Sequence, residues 1–177
     1  MRKAVTVSIF VCLVLLSGVA MAHGNDNGNG NAKNANGIQV SHANSDLADV
    51  RQVTAKYHNE SQAVADGYIP TDHCVSNMGY HYVNPGLLDG DINASQPEIL
   101  VYAPVGNSNN GKRKLVAVEY FIDANETEDT PTLFGQEFNG PMPGHEPGQP
   151  VHYDLHAWVW QANPDGVFTP FNPNIRC

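Results

Sequence analysis

The sequence predicts an α+β domain, with one N-terminal helix packed on a mainly antiparallel β-sheet and long Pro/Gly loops covering one side. Three observations carry this. Helical periodicity falls in one stretch, near residues 46–66. Short β-rich runs bounded by turn residues come after it, and Pro and Gly crowd the segments between them.

Residues 1–22 read as a signal peptide. Arg2 and Lys3 form a basic start, Ala4 to Val19 an apolar run, and Ala20-Met21-Ala22 a small-residue cleavage site. The run is short for a bilayer span of ~20 residues. Cys12 lies inside it rather than just after it, which argues against a lipid anchor. The expectation is a soluble protein, secreted, periplasmic or at the cell surface, without membrane insertion and beginning at His23. Residues 23–40, mostly Asn and Gly, cannot bury apolar surface and are expected as a disordered tether. Residues 41–177 are enough for a single globular domain.

The chain has nine basic and eighteen acidic residues, a net charge of −9. Loss of Arg2 and Lys3 with the leader leaves seven against eighteen, or −11. Binding to nucleic acid or anionic lipid depends on Lys and Arg neutralising phosphate, so no nucleic-acid partner is expected. The leader also removes Cys12, leaving Cys74 and Cys177. In an oxidising compartment such a pair is most simply a disulfide, closing a loop worth ~4–5 kcal/mol in the chain-entropy model. Neither cysteine has a C-x-x-C partner that would favour a thiolate metal site.

Within the domain, Ser45 is the expected N-cap of a helix from Asp46 to Asp66. Its apolar face carries Leu47, Val50, Tyr57, Val64 and Tyr68, and Gly67 and Pro70 end it. His58 lies near that face and reads as a structural residue. Tyr80 to Val83 forms a short strand. Glu98–Pro104 and Lys114–Asp123 form a hairpin across Gly106–Gly111, with Val116, Val118, Tyr120 and Ile122 on one face of the second strand. Leu115, Ala117, Glu119 and Phe121 take the other. Pro131 to Pro150 is read as a loop without regular structure, a lid over the His-rich strand after it. That strand is Val151–Trp160, and Val167–Phe171 is the last.

The Val151–Trp160 strand carries the functional signal. Alternation puts Val151, Tyr153, Leu155, Ala157 and Val159 on one face, and His152, Asp154, His156, Trp158 and Trp160 on the other. Two tryptophans beside two imidazoles indicate a covered face, where His and Asp need partners. Side chains at i and i+2 stand ~6.6 Å apart, so Asp154 and His156 suit one ion, whereas His152 and His156 at ~13 Å do not. Glu119, a carboxylate among apolar neighbours, and His81, in a strand-like run, complete an expected metal set of His81, Glu119, Asp154 and His156. His152, His145 and His73 are outer or reserve ligands. A His/carboxylate set suits zinc, iron, manganese or copper, and an open position would activate water or bind a substrate oxygen. His23 is a weaker candidate for copper, since the tether would have to fold back. Asn59, Asn93 and Asn125 each begin an Asn-x-Ser/Thr triplet that a suitable host would glycosylate.

Two other functions fit the same residues. One is a metal-free binding module with Trp158, Trp160, Tyr80 and Tyr82 lining a pocket for a small organic ligand. The other is a metal-assisted enzyme, though no nucleophile elbow or phosphate loop is present. An envelope protein without a small-molecule site is a fourth reading.

Longer motifs bear on origin. Met78-Gly79-Tyr80-His81-Tyr82-Val83-Asn84-Pro85, Leu133-Phe134-Gly135-Gln136 and Tyr153 to Trp160 followed by Asn163-Pro164-Asp165-Gly166, Phe171-Asn172-Pro173 and Cys177 resemble a family of uncharacterised secreted microbial proteins. The resemblance covers nearly all of the folded domain. It implies a secreted single domain with a terminal cysteine and supplies no activity. Where that pattern reads Glu, this chain has Asp154, whose shorter side chain alters its reach.

Overall fold

The helical layer in the computed structural model, which describes residues 32–106, 111–145 and 148–177, is broken where one continuous helix was expected. It consists of α1 (Ala32–Thr54), a 3-10 turn over Ala55–His58, and α2 (Glu60–Ala65). The break has a local cause. The Asn59 side chain accepts a hydrogen bond from the Ser61 amide at 3.1 Å and restarts the helix as an N-cap, with Glu60 in its first turn. The interruption shifts the phase of the apolar face. Leu47, Val50, Tyr57 and Tyr68 are buried as expected, but Val64 is 53% exposed and Ala63 faces the core instead. At its other end α1 reaches back to Ala32, so residues 32–40 of the expected tether are helical. The expected signal peptide, residues 1–22, and residues 23–31 of the expected tether lie outside the described residues.

After the helices come β1 (Ile69–Pro70), β2 (Tyr80–Val83), β3 (Ile99–Pro104) and β4 (Arg113–Asp123). A small hairpin comes next, β5 (Thr132–Leu133) and β6 (Gln136–Glu137), then β7 (Asn139–Met142) and β8 (His152–Ala157). Six strands form one antiparallel sheet in the order β1-β2-β3-β4-β8-β7. The α+β class and the β3–β4 hairpin are as the sequence indicates.

The Pro131–Pro150 segment has more structure than a lid. Phe134 and Gly135 both adopt positive φ (57° and 73°), the twist a two-residue hairpin turn requires, and they close β5 on β6. The segment then supplies β7, which pairs along β8. Gly140 (φ +132°) makes that approach possible, because a Cβ there would sit 2.7 Å from the His152 carbonyl oxygen. With β4 on one edge of β8 and β7 on the other, no edge remains for Val167–Phe171. That segment, expected as the last strand, is irregular and meets the chain after β8 through one backbone bond from Trp158 to Val167 (2.9 Å).

Two irregularities decide which side chains share a face. The β3–β4 register shifts between Val101 and Tyr102, whose partners are Ala117 and Leu115. Val116 is therefore the extra residue of a bulge, and it exchanges the expected faces of Leu115 and Val116 while Ala117, Val118 and Tyr120 keep theirs. Leu115 joins Val118 and Tyr120 beneath the helices, while Val116 packs with Ala117 and Trp158 on the opposite side. The second irregularity comes after Ala157. The Val159 amide bonds back to the Ala157 carbonyl at 2.8 Å, a three-residue turn that ends the strand. Trp160 thus crosses to the helical side, where its indole donates to the Thr54 hydroxyl (3.1 Å) and its ring packs on His58 (centroids 4.2 Å apart). It does not share the histidine face, and His58 is structural, as its sequence position indicates.

Beneath the helices the core is built on Leu100, Tyr102, Tyr120 and Leu155, all fully buried. Each leucine so buried contributes ~1.5–3 kcal/mol. The tyrosine hydroxyls are satisfied: Tyr68 donates to Pro97, Tyr102 to Tyr57 and Tyr120 to Ala94, each to a backbone carbonyl within 2.8 Å. On the other face Ile175 packs on Val101, Ala103 and Trp158, and the expected Cys74–Cys177 disulfide fastens the last residue there (Cα–Cα 5.6 Å). Among the described residues no helix is long and apolar enough to cross a membrane.

Candidate metal centre

Antiparallel pairing of β4 with β8 sets Glu119 opposite His156, Phe121 opposite Asp154 and Asp123 opposite His152. Strand alternation turns His152, Asp154 and His156 to the face away from the helices, and His81 on β2 faces the same way while Tyr80 and Tyr82 point to the helical core. Three strands distant in sequence thereby deliver ligand-type atoms to one place. His81 Nε2 stands 3.3 Å from Glu119 Oε2, and His156 Nε2 stands 3.5 Å from the same oxygen. For metal–ligand bonds of ~2.0–2.1 Å at tetrahedral angles, neighbouring ligand atoms lie ~3.3–3.4 Å apart. His81, Glu119 and His156 could hold a metal ion.

Asp154, expected as the fourth ligand, goes elsewhere. Its Oδ1 is 4.0 Å from His156 Nδ1, whereas Glu119 faces His156 Nε2. The two carboxylates approach opposite nitrogens of one ring, so they cannot both join an ion bound at Nε2. Asp154 instead groups with His152 and His145, its Oδ2 lying 3.8 Å from His152 Nε2. This second set could also hold an ion. The sequence placed His145 and His152 only in outer or reserve roles, although the His152/Asp154 spacing was visible. His73 lines the cavity above and belongs to neither set.

Outside this cluster, all but one of the buried side-chain polar atoms of the described residues find hydrogen-bond partners. Within it five do not. Among the described residues, Glu119 Oε2, His152 Nε2, Asp154 Oδ1 and both nitrogens of His156 are buried without a hydrogen-bond partner, and Gln161 Oε1 is the one such atom outside the cluster. Leaving a buried polar atom unsatisfied costs ~1–3 kcal/mol, so a cluster of five calls for an external partner.

Electrostatics favour a neutral set of ligands. Burial, helped by the charge of His156, pushes His81 down to about 3, and burial also lowers His156. Burial and then the negative charge of Asp154 raise Glu119 well above the ordinary carboxyl range. At neutral pH both imidazoles therefore carry the lone pair that coordination uses. His152 differs. Burial works to lower it, but Asp154 and the Pro150 carbonyl outweigh that and leave it raised.

Above the two sets lies a cavity of about 370 Å³, with Glu119, Asp154 and His156 in its wall alongside apolar Met78, Ile99 and Phe171. Two imidazoles and one carboxylate leave coordination positions open to such a space, where water or a ligand oxygen can bind and be polarised. The four aromatics expected to line a pocket are not in the wall of this cavity. Trp158 packs on the disulfide side of the sheet, and Trp160, Tyr80 and Tyr82 lie toward the helices, with the Arg113 guanidinium 3.6 Å above the Tyr80 ring. The cavity residues Thr71, Gln149 and Phe171 carry no local sequence signal of that role. Comparison with protein-family models, with curated proteins and with solved structures finds no match for this chain.

Proposed function

We propose that the protein is a secreted metal-binding domain in which His81, Glu119 and His156 hold one divalent transition ion (zinc, iron, manganese or copper), with open positions facing the cavity. One observation carries this reading: the buried Glu119 and His156 and the half-buried His81, from β4, β8 and β2, converge at metal–ligand spacing, and the facing Glu119 Oε2 and His156 Nε2 lack hydrogen-bond partners. The leader-like N-terminus and the disulfide support export, since a disulfide persists in oxidising compartments. The cavity supports a small-molecule ligand on the ion, and an enzymatic use of the ion is the second reading on the same ground.

Elemental analysis of the untagged exported form tests the proposal. Near-stoichiometric metal is expected in the wild type and a loss of ~10-fold or more in affinity in His81→Ala and His156→Ala. A wild type that neither retains nor takes up a transition ion rejects it.

A further inference from the structure

We infer that the chain binds a second cation, on His145, His152 and Asp154, so that the cavity wall holds a two-ion centre with Asp154 between its halves. The second position stands on its own geometry, and it rests on the single-ion reading only where the two are said to interact.

The second set has the features of a prepared ligand group. One donor atom from each of its residues lies within 4.8 Å of the others. His152 is fully buried, and a backbone contact fixes its tautomer: Nδ1 lies 3.1 Å from the Pro150 carbonyl oxygen, which can only accept, so Nδ1 carries the proton. In the neutral ring Nε2 then keeps its lone pair, and that atom is buried and without a partner. A histidine that donates one ring N–H to a backbone carbonyl and presents the other nitrogen is oriented as metal-ligating histidines are. The Phe121 ring stacks on it (centroids 4.6 Å apart, planes 22° apart) and restricts its rotation. Asp154, also buried, has Oδ1 unpartnered, and among the described residues no Lys or Arg ion-pairs with it. A buried carboxyl group in that position gains most from a cation. His145 closes the set from an exposed segment, its ring edge-on to His152 with centroids 5.5 Å apart.

The two positions share a connection. His156 offers Nε2 to the first ion, and its Nδ1 faces Asp154 Oδ1 at 4.0 Å. Asp154 Oδ2 lies toward His152. A cation on Oδ2 draws negative charge from Oδ1, the atom that faces the His156 ring, and it also repels the first ion directly. That repulsion weakens both ions alike. The second position is the weaker and the faster to exchange because His145 lies on an exposed segment.

Titration of the metal-stripped, untagged protein with Co²⁺ alone tests this, with visible absorption and bound cobalt per chain as readouts. Two Co²⁺ per wild-type chain are expected, in two steps separated ~10–100-fold in affinity. His145→Ala, at an exposed position that leaves folding intact, removes only the weaker step, and His81→Ala weakens the tighter one. One Co²⁺ per wild-type chain, unchanged in His145→Ala and lost in His81→Ala, overturns the second site and leaves the first. A single step abolished by either variant also overturns it, because the two sets would then be one site. No bound cobalt overturns this inference and the single-ion reading together.

Discussion

Glu119 on β4 and His156 on β8 are register partners, and their side chains meet with Oε2 3.5 Å from Nε2. Both atoms are buried and neither has a hydrogen-bond partner among the described residues. Glu119→Gln replaces the carboxylate by a neutral group of the same shape. A transition ion at a hundredfold excess over Kd is expected to stabilise the wild type by ~2.7 kcal/mol. At ~2–4 °C per kcal/mol for a domain of this size, that is a rise in Tm of several degrees. In chelator the variant is expected to melt within a few degrees of the wild type. With metal it gains little, and thermal melts with and without the ion measure the difference. An equal metal-induced shift in both proteins would exclude Glu119 as a ligand.

Glu98 governs a separate pH dependence. It is fully buried, and burial raises its carboxyl from 4.5 to about 8, against the opposing effect of the Phe121 amide bonded to Oε2 at 3.2 Å. Between those values the folded protein holds a proton that the unfolded chain has released. Stability contributed by this group is thus complete below pH 4.5, falls as pH rises toward 8 and is lost above it. The total is on the order of a few kcal/mol. Glu98→Gln keeps an acceptor for the Phe121 amide and removes the titration, so urea midpoints between pH 5 and 8 are expected to fall less steeply with pH in the variant. Identical slopes would show that Glu98 does not titrate in that range.

Gly79 is expected to tolerate no side chain. Its φ of +122° lies where L-residues are strained, and a Cβ there would come 2.4 Å from the Tyr102 carbonyl oxygen. Gly79→Ala must therefore displace the start of β2 from β3, at ~2–4 kcal/mol. His81 is two residues away, so metal affinity should fall along with stability. Urea unfolding and a metal titration of the same variant check both effects.

The Cys74–Cys177 disulfide closes a loop with a sequence separation of 103. Its removal in the Cys74→Ala/Cys177→Ala double variant is expected to cost up to ~4–5 kcal/mol, through the freedom restored to the unfolded chain. A lowered urea midpoint measures it, and a midpoint within experimental scatter of the wild type would discount the staple.

Much of this architecture arises from local rules that the sequence states directly. Period-two alternation and turn residues define β2, β3, β4 and most of β8, and an even cysteine pair defines the disulfide. His81, Glu119 and His156 stood out because each is a polar group where a strand should be apolar. Interruptions of a regular element, and features that depend on contacts between distant segments, were not legible. Asn59 interrupts the helix, a bulge at Val116 exchanges the faces of Leu115 and Val116, and Trp160 turns away from the histidines. The strand β7 takes the edge of β8 that Val167–Phe171 would have needed.

The sequence by itself determined the α+β class, the disulfide partners and which side chains carry metal-type chemistry. Only the tertiary structure decided their grouping. Spacing along β8 placed Asp154 with His156, but an imidazole has two nitrogens facing opposite ways. Pairing with β4 gave Nε2 to Glu119 and left Asp154 on the Nδ1 side with His152. Which nitrogen meets which carboxylate depends on the register between strands, and no count of residues along one strand contains it.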